Sequence, residues 1–539
     1  MKKLLATTAG LLMSTAVVGT ATAQAVNDNQ LSDPRVRQAI AYALDMETIV
    51  DTIFEGNAIL ANGLQPHGPN KPDGLNYYKY DPDKARALLA EAGWDESREL
   101  DVVYYYADQI TADFMAAMQA YLADVGVQMN YRLLEGDVGA QLTVMPDDPV
   151  EGPSGLSWDI AYGARAALAP HEYFNRFAYG QMPMIPNVPE MNDLVAKANG
   201  TADVAVQREA FHEMERIVNE NVYILPLYYQ QLFIFQSDRI DRNGNPYGNE
   251  QYNYNWGITE WTVEPNEDGE RVAYTNTGPQ QFFELPWRNL GIWITSKAVF
   301  DTVLLADGAL TPIGGELADS YEMSDDGLTL TVTMRDDALW HDGDPVTAED
   351  VAWSIQAAAI NPTTQPTVSA SFRAIKGAEA YVAGEADEIS GISVDDNVLT
   401  LEFETVAPNI LLSLTQFHPL PRKYFDGVDP IQLQQSDFWQ KPVGSGPFMI
   451  DEVRMNDFMT LVPFEDYHGG VAKIEQIIVT PSGDGDGNLV RNAAAGRADF
   501  GYTKNTADVP ALEEMENITV VPIDFPYTRM FWINQFVRK

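Results

Sequence analysis

Residues 212–216 read His-Glu-Met-Glu-Arg and partly match a metal-dependent catalytic motif. Zinc proteases carry His-Glu-x-x-His on a helix, where two imidazoles one turn apart bind the ion and the glutamate acts as a general base. In this chain Arg216 stands in the place of the second histidine. Because a guanidinium does not bind a cation, we interpret the segment as an ordinary helix face.

A second segment with cation-binding chemistry is Gly-Asp-Gly-Asp-Gly-Asn at 483–488. It resembles the first half of a calcium loop, whose twelfth position carries a bidentate glutamate. Counted from Asp484, that position is Ala495, so a turn between a strand and a helix is the better interpretation. The 6 His are scattered and Cys is absent, which excludes disulfides, thiolate catalysis and Cys-based zinc sites. The sequence therefore predicts no metal site and no cofactor.

The sequence shows no clear signature of metal-free catalysis either. The chain contains no Gly-x-Ser-x-Gly nucleophile motif, and pairs of carboxylates are uninformative among 78 Asp and Glu residues. We therefore predict no catalytic residues and a protein that is not an enzyme. An exported glycoside hydrolase using paired carboxylates stays open as an alternative.

The first 25 residues predict export. Met1-Lys2-Lys3 is basic, Leu4–Thr20 is apolar or small, and Ala21, Ala23 and Ala25 suit a small-x-small cleavage site. No later segment is apolar enough to span a bilayer, and the net charge of −44 repels nucleic acid and anionic membranes. We expect a periplasmic protein with a cleaved signal peptide (1–25), no membrane anchor and no nucleic-acid partner.

Apolar periodicity predicts an α/β fold. Strand patterns at 100–107, 127–135, 158–163 and 223–235 alternate with helical patterns. Asp81 and Thr347 are the expected N-caps of two of the helices. Hairpins are predicted within 324–343 and 391–404, the second turning at residues 395–397.

Four motifs carry a family resemblance. They are DPRVRQAIAYALDMETIV (33–50), YDPDKARALLAEAGW (80–94), the hairpin and helix at 325–355, and PVGSGPFMI (442–450). Together they resemble the oligopeptide-, dipeptide- and nickel-binding family of ABC-importer binding proteins, family 5. The resemblance implies a two-lobed periplasmic-binding-protein fold of three domains, of the type II or cluster C kind.

The motifs occur in a rotated order. In the family, the 325–355 and 442–450 motifs precede the 33–50 motif, whereas here they follow it. The chain is therefore predicted to be a circular permutant. The expected units are a ligand-binding lobe at 26–235 completed by 531–539, the start of the other lobe at 236–309 with a permutation linker at 263–271, a small inserted domain at 310–440, and the rest of that lobe at 441–530.

The resemblance also places the ligand contacts on segments that face the cleft or the hinge. Aromatic faces suit sugar rings and polar tips suit hydroxyl groups, and Arg165 suits a carboxylated ligand. In peptide-binding members, the loop matching 164–174 carries an acidic residue before a Pro, but here Ala169 precedes Pro170. Peptide and oligosaccharide ligands therefore both stay open. The predicted ligand-binding residues are Gln280, Phe282, Trp287, Tyr527, Arg529, Trp532, Asn534, Tyr162, Arg165, Glu172 and Tyr229.

The resemblance implies a monomeric solute-binding component that captures a small molecule and delivers it to ABC transporter permease subunits. The alternatives are the glycoside hydrolase named above and a ligand sensor that presents its closed form to a receptor.

Overall fold

The computed structural model describes residues 29–538 except 202, 248–254, 267, 279–283, 290–293, 308–309, 455–456 and 482–487. The predicted signal peptide (1–25), most of the turn at 483–488, and the predicted ligand contacts Gln280 and Phe282 lie outside the described residues. Across the part that is described, no helix is both long and apolar enough to cross a bilayer.

The strands include two that are much longer than the others, β5 and β19. The described strands are β1 (Ala58–Leu60), β2 (Glu99–Tyr104), β3 (Gln128–Leu133), β4 (Ile160–Ala166), β5 (Ile224–Ser237), β6 (Ile240–Asp241), β7 (Thr262–Val263), β8 (Val272–Gly278), β9 (Leu304–Ala306), β10 (Pro312–Gly315), β11 (Ala318–Met323), β12 (Thr329–Met334), β13 (Ile392–Asp395), β14 (Val398–Glu402), β15 (Phe448–Arg454), β16 (Phe458–Pro463), β17 (Gln476–Pro481), β18 (Phe500–Thr503) and β19 (Ile518–Ile533).

The helices are short to medium in length, and the longest is α8. They are α1 (Pro34–Ala43), α2 (Met46–Thr52), α3 (Pro82–Ala92), α4 (Gln109–Asp124), α5 (Val138–Leu142), α6 (His171–Phe174), α7 (Pro189–Asn199), α8 (Val204–Asn221), α9 (Pro286–Asn289), α10 (Ile294–Val299), α11 (Ala348–Ile360), α12 (Pro366–Arg373), α13 (Ala378–Val382), α14 (Ile410–Leu414), α15 (Leu489–Ala494) and α16 (Val509–Glu513).

The predicted helix boundaries are confirmed at both chosen caps. The Asp81 side chain accepts a hydrogen bond from Lys84 N at the start of α3, and Gly93 ends that helix in the left-handed region at φ 69°. Thr347 and Asp350 form a reciprocal capping box at the start of α11. The predicted hairpin at 391–404 is also present, with Asp396 in the left-handed conformation at its turn. Hydrogen bonds between neighbouring residues therefore determine where these helices begin.

One sheet of eleven strands runs through the molecule in the order β15-β16-β17-β8-β18-β5-β19-β4-β2-β3, and β1 pairs with β5 outside that path. The pairs β17–β8, β8–β18, β4–β2 and β2–β3 are parallel. Helices cover both faces, so the predicted α/β class is confirmed.

Buried apolar residues gather on either side of the two long strands. We call residues 29–228 with 530–538 region 1, and residues 232–523 region 2. In region 1, α1, α3 and α4 bury their apolar sides on one face of β2, β3 and β4, while α7 and α8 cover the other face. In region 2 the main core joins the sheet to α11, α12 and the separate four-stranded sheet β11-β12-β14-β13.

Strands β5 and β19 connect the regions and pair antiparallel along nearly their whole length. The register shifts at two points, because Asp524 pairs with Gln231 whereas Thr528 pairs with Tyr229, and Arg529 pairs with Tyr228 whereas Met530 pairs with Pro226. At the first point, the three residues 525–527 face the single residue Gln230. Such a bulge interrupts the ladder and redirects the neighbouring side chains. It lies at the junction of regions 1 and 2.

Asn29 joins the first described segment to the last. Its Nδ2 donates to Asn534 O at 2.8 Å and to Phe536 O at 2.7 Å, and the residue is buried. Its Oδ1 accepts from Leu31 N at 3.2 Å and from Arg98 at 2.9 Å. One buried amide thus satisfies four polar groups from distant parts of the sequence.

Asn29→Ala is expected to lower the free energy of unfolding by about 1–3 kcal/mol, because it leaves buried carbonyls without a donor. Denaturant unfolding of the two proteins measures the difference. Gln38→Ala is the control, since it removes a solvent-exposed hydrogen bond to Glu220 O. Equal effects of the two substitutions would contradict this account.

Glu215 corrects the interpretation of 212–216 as an ordinary helix face. Its side chain is fully buried beneath residues 62–65, where one carboxylate oxygen accepts a short hydrogen bond from Leu64 N and the other accepts from Gln65 Nε2 at 3.5 Å. Burial raises its pKa to about 7, although the bond from Leu64 N opposes the shift. The helix face therefore carries a buried acid that holds a loop.

The raised pKa of Glu215 predicts a pH-dependent stability. The folded state keeps the proton between the ordinary pKa of 4.5 and about 7, so this group's contribution falls as pH rises through that window. Glu215→Gln cannot titrate, so it does not lose stability in this pH window. The free energy of unfolding of the variant minus that of wild type is expected to increase by about 3 kcal/mol from pH 4 to pH 8.

Urea unfolding at several pH values measures the difference between the two proteins. Glu213→Gln, on the same helix but half exposed, provides the control and is expected to track wild type. Parallel pH curves for Glu215→Gln and wild type would rule out the buried acid as the cause.

Candidate functional site

A cavity of about 660 Å³ lies between region 1, region 2 and the bulge, and we call it the central cavity. Its volume is within the range of small-molecule sites. Region 1 contributes the ends of β2 and β5 and the start of α4, while region 2 contributes the segment after β18. Its lining includes Phe54, Tyr105, Tyr106, Gln109, Tyr228, Gln230, Asn276, Tyr502, Lys504, Asn505, Tyr527 and Arg529.

Arg529 is the most unusual group in the central cavity. Its Nε donates to Gln230 Oε1 at 2.7 Å, but its buried Nη1 has no hydrogen-bond partner. Within the described ranges, no carboxylate oxygen lies within 4.0 Å of the guanidinium. An unpaired buried charge is costly, so the site is prepared for an anionic group.

Tyrosines surround this guanidinium. Its central carbon lies 3.8 Å from the ring centroid of Tyr106 and 5.4 Å from that of Tyr527. Burial opposes the charge of Arg529, but the neighbouring hydroxyls of Tyr162 and Tyr228 raise its pKa well above the ordinary value. The rings stabilise the cation by their π faces without neutralising it.

The tyrosine hydroxyls form two hydrogen-bonded groups. Tyr106 OH bonds to Tyr105 OH and lies 3.2 Å from Tyr527 OH, while Tyr162 OH and Tyr228 OH are 2.7 Å apart. Burial raises the pKa of Tyr106 and of Tyr162, so both hydroxyls stay protonated at neutral pH. The cavity wall therefore offers flat aromatic surface and neutral hydrogen-bonding groups around the guanidinium of Arg529, and Lys504 adds a second positive charge to the lining.

A smaller cavity of about 250 Å³ lies on the opposite face of β19, and we call it the side cavity. Along a strand successive side chains point to opposite faces, so Tyr527 and Arg529 reach the central cavity whereas Met530 and Trp532 line this one. Arg165 lines the side cavity and donates through Nη2 to Glu172 O at 2.9 Å. Burial lowers the pKa of Arg165.

Glu172 makes a contact between the regions. Its carboxylate accepts from Gln365 Nε2 at 2.7 Å and forms a short hydrogen bond with Thr367 Oγ1, both at the start of α12. Asn409 Nδ2 donates to His171 Nδ1 at 3.1 Å beside it. Polar bonds therefore fix the loop 168–172 of region 1 to the helical part of region 2.

Other predicted ligand contacts lie apart from both cavities. Trp287 is fully buried, stacks on Phe417, and donates its Nε1–H to His418 O at 2.8 Å. Asn534 is buried and donates to Trp158 O. Tyr229 OH bonds to Gly63 and to Lys71 Nζ. Their roles in ligand binding stay predictions, and each has a structural partner here.

The structure thus brings Tyr527 and Arg529 together in the central cavity, with Tyr162 beneath them, and places Trp532 and Arg165 in the side cavity. The sequence analysis missed Tyr105 and Tyr106. The signal was present in the run of three tyrosines at 104–106, since a strand end that continues its aromatic run exposes at least one ring. Lys504 and Asn505 carry no local sequence signal.

Comparison with known proteins agrees with the fold. The sequence model of the bacterial extracellular solute-binding proteins, family 5 Middle, matches residues 4–163 and 313–536. A dipeptide-binding protein of Lactococcus lactis subsp. cremoris is 34% identical over 29% of this chain and 31% of its own length. The periplasmic murein peptide-binding protein MppA of Escherichia coli is 29% identical over 27% of each chain.

Among solved structures, NikZ from Campylobacter jejuni in complex with Ni(L-His) covers 46% of this chain and 45% of its own, at 20% identity and a TM-score of 0.35. The chain spans about a third of the length of the curated relatives it matches. Because the two segments matched by the family model exceed half of the 539 residues, the chain belongs to the bacterial extracellular solute-binding proteins, family 5.

Proposed function

We propose that the chain is the periplasmic solute-binding component of an ABC importer and captures a short peptide in the central cavity. The observation that carries the proposal is Arg529, a buried cation with a free Nη1 in a cavity shared by both regions. A peptide always brings a terminal carboxylate, which fits this donor. Delivery to permease subunits follows from the family, and the binding is reversible without bond chemistry.

The guanidinium of Arg529 favours a carboxylate over a neutral ligand group. A hydrogen bond to a charged group contributes about 1.5–3 kcal/mol, roughly twice a neutral one. In a chain of net charge −44, a free buried cation is a local exception that attracts an anionic ligand group. The relatives described above are named for dipeptides and murein peptides, which supports the same ligand class.

An oligosaccharide is the second candidate ligand. The rings of Tyr105, Tyr106, Tyr228, Tyr502 and Tyr527 line the central cavity, and aromatic faces bind sugar rings. A neutral sugar leaves Arg529 unpaired, so this ligand satisfies less of the site than a peptide does.

The hydrolase alternative has less support. Asp108 and Asp508 line the central cavity, but Asp108 caps α4 through Thr111, and Asp508 accepts from Thr503 Oγ1 and Asn505 Nδ2. Both carboxylates therefore serve the local fold. The sensor alternative shares the binding site and differs only in the protein that receives the closed form.

Ligand capture by movement of regions 1 and 2 as lobes is part of the proposal. Among the described strands of the main sheet, only β5 and β19 run through both regions, and their ladder is interrupted at the bulge opposite Gln230. A few residues at such a point can absorb the backbone rotation of a hinge. Arg529 and Tyr527 lie beside it, so a ligand bound there contacts the hinge directly.

The proposed pairing of Arg529 with a peptide carboxylate can be tested by calorimetric titration. The two ligands are a tripeptide and the same peptide amidated at its C-terminus. The free peptide is expected to bind at least 10-fold more tightly than the amide, because only it pairs with Arg529. Arg529→Gln is expected to weaken binding of the free peptide by a similar factor and to remove the distinction between the two ligands, at about 1.4 kcal/mol per 10-fold.

Arg132→Gln, which breaks an exposed ion pair with Asp101, is the control and should bind as wild type. Circular dichroism and the unfolding midpoint check that each variant is folded. Tight binding of a neutral oligosaccharide that Arg529→Gln leaves unchanged would replace the peptide proposal with the sugar alternative.

We also propose that the rotated motif order is a circular permutation of the family order. The segment beginning at Asn29 is hydrogen-bonded to 534–536, as a continuous chain would require. The predicted linker (263–271) starts at the buried Val263 of β7 and continues as a solvent-exposed turn held by Asn266 before β8. Exposed turns tolerate new chain ends because they contribute little to the core.

A re-ordered chain tests this proposal. Lys539 is joined to Val26 and new ends are opened between 268 and 269, without residues 1–25. The product is expected to unfold within a few degrees of the original and to bind the same ligands. A second re-ordered chain with ends opened between Leu232 and Phe233, in the buried part of β5, is expected to fail to fold. Failure of both would contradict the permutation.

A further inference from the structure

Three metal-ligating side chains from separate segments of region 2 meet away from both cavities. Asp301 follows α10, Glu316 lies between β10 and β11, and His468 follows β16. One ligand atom from each residue lies within 4.8 Å of the other two. None of the three lines the central or the side cavity.

The geometry is close to that of a bound ion. His468 Nε2 lies 3.6 Å from Asp301 Oδ2. Two ligands at about 2.0–2.1 Å from a tetrahedral zinc ion are roughly 3.4 Å apart. The separation is too long for a hydrogen bond and matches two ligands that share one cation.

The polar atoms that face each other here have no partner. Asp301 Oδ2 and both ring nitrogens of His468 are buried and make no hydrogen bond to any described group. The side chain of Asp301 is 5% exposed and that of His468 is 3% exposed. Each unsatisfied buried polar group lowers stability, so a native site with three of them indicates a missing binding partner.

Neighbouring donors do not supply that partner. Tyr467 OH bonds to Asp301 Oδ1 at 3.1 Å and to Glu316 Oε1 at 3.0 Å, but one hydroxyl hydrogen satisfies only one carboxylate at a time. Arg335 directs Nε and Nη2 to Asp337, and its Nη1 reaches only the backbone oxygen of Glu316. Asp301 Oδ2 therefore remains without a donor on the side facing His468.

We infer that Asp301, Glu316 and His468 bind a divalent transition-metal ion. One imidazole and two carboxylates suit Zn²⁺ and Mn²⁺, whereas a site with nitrogen among three ligands is poorly suited to Ca²⁺ or Mg²⁺. Tyr467 holds the two carboxylates in place by its hydrogen bonds. The ion joins three segments that the chain separates widely, so its role is to stabilise region 2 and it takes no part in solute binding.

The test uses the protein without a histidine tag, freed of metal by a chelator. ZnCl₂ or MnCl₂ is added, unbound ion is removed by gel filtration, and metal is counted by mass spectrometry. Wild type is expected to retain one ion per chain and to show a higher unfolding midpoint with the ion than without it. His468→Gln and Glu316→Gln are expected to lose both effects.

Two controls separate this site from others. His212→Gln removes an exposed imidazole outside the cluster and should retain one ion per chain. Arg529→Gln alters the central cavity and should also retain it, so failure of the solute-binding proposal leaves this result unaffected. Wild type that retains no ion overturns the inference, and so does His468→Gln that still retains one. If the variants do not fold, the number of ions retained per wild-type chain still tests the inference.

Discussion

The antiparallel pairing of β5 with β19 is the constraint on which the rest of the structure depends. These strands pass between the two cores, and every other strand of the main sheet is arranged outward from them. Alternation along β19 points Tyr527 and Arg529 toward the space between the regions, while Met530 and Trp532 face the other side. The two register shifts of this ladder lie beside these residues, at the junction of the regions and next to the central cavity.

Charge gives this cavity its chemical character. The molecule is strongly acidic, yet its central cavity holds the guanidinium of Arg529, which donates to the neutral amide of Gln230 and meets no carboxylate among the described residues. A carboxylate in the place of Gln230 would neutralise the cation and compete with an incoming anion. The tyrosine rings, in contrast, shield the cation from water without neutralising its charge. An unpaired buried cation is costly, and an anionic group placed beside it would offset that cost.

Local features were predictable from sequence and long-range ones were not. The caps at Asp81 and Thr347 and the strand patterns were correct because neighbouring residues determine them. Tyr527 and Arg529, predicted as ligand contacts from the family resemblance, both line the central cavity, and their role in binding stays a prediction. Trp532 faces the other side because side chains alternate along β19. The burial of Glu215 was not predictable because its partner loop lies 150 residues away, and neither was the meeting of His468 with Asp301 and Glu316, which come from segments that only the folded chain brings near.

The position of β19 between β4 and β5 also determines the order in which the protein can fold. Region 1 is encoded almost entirely by the first 228 residues, but its sheet lacks a central strand until the end of β19 pairs Phe531 with Tyr162 and Leu225. These contacts close loops of more than 300 residues, which is slow because the entropy of loop closure is lost before the contact is gained. Region 1, which is synthesised first, can therefore complete its sheet only after the C-terminal strand β19 has been synthesised. Until β19 has been made, β4 and β5 of region 1 lack the strand that pairs with both of them.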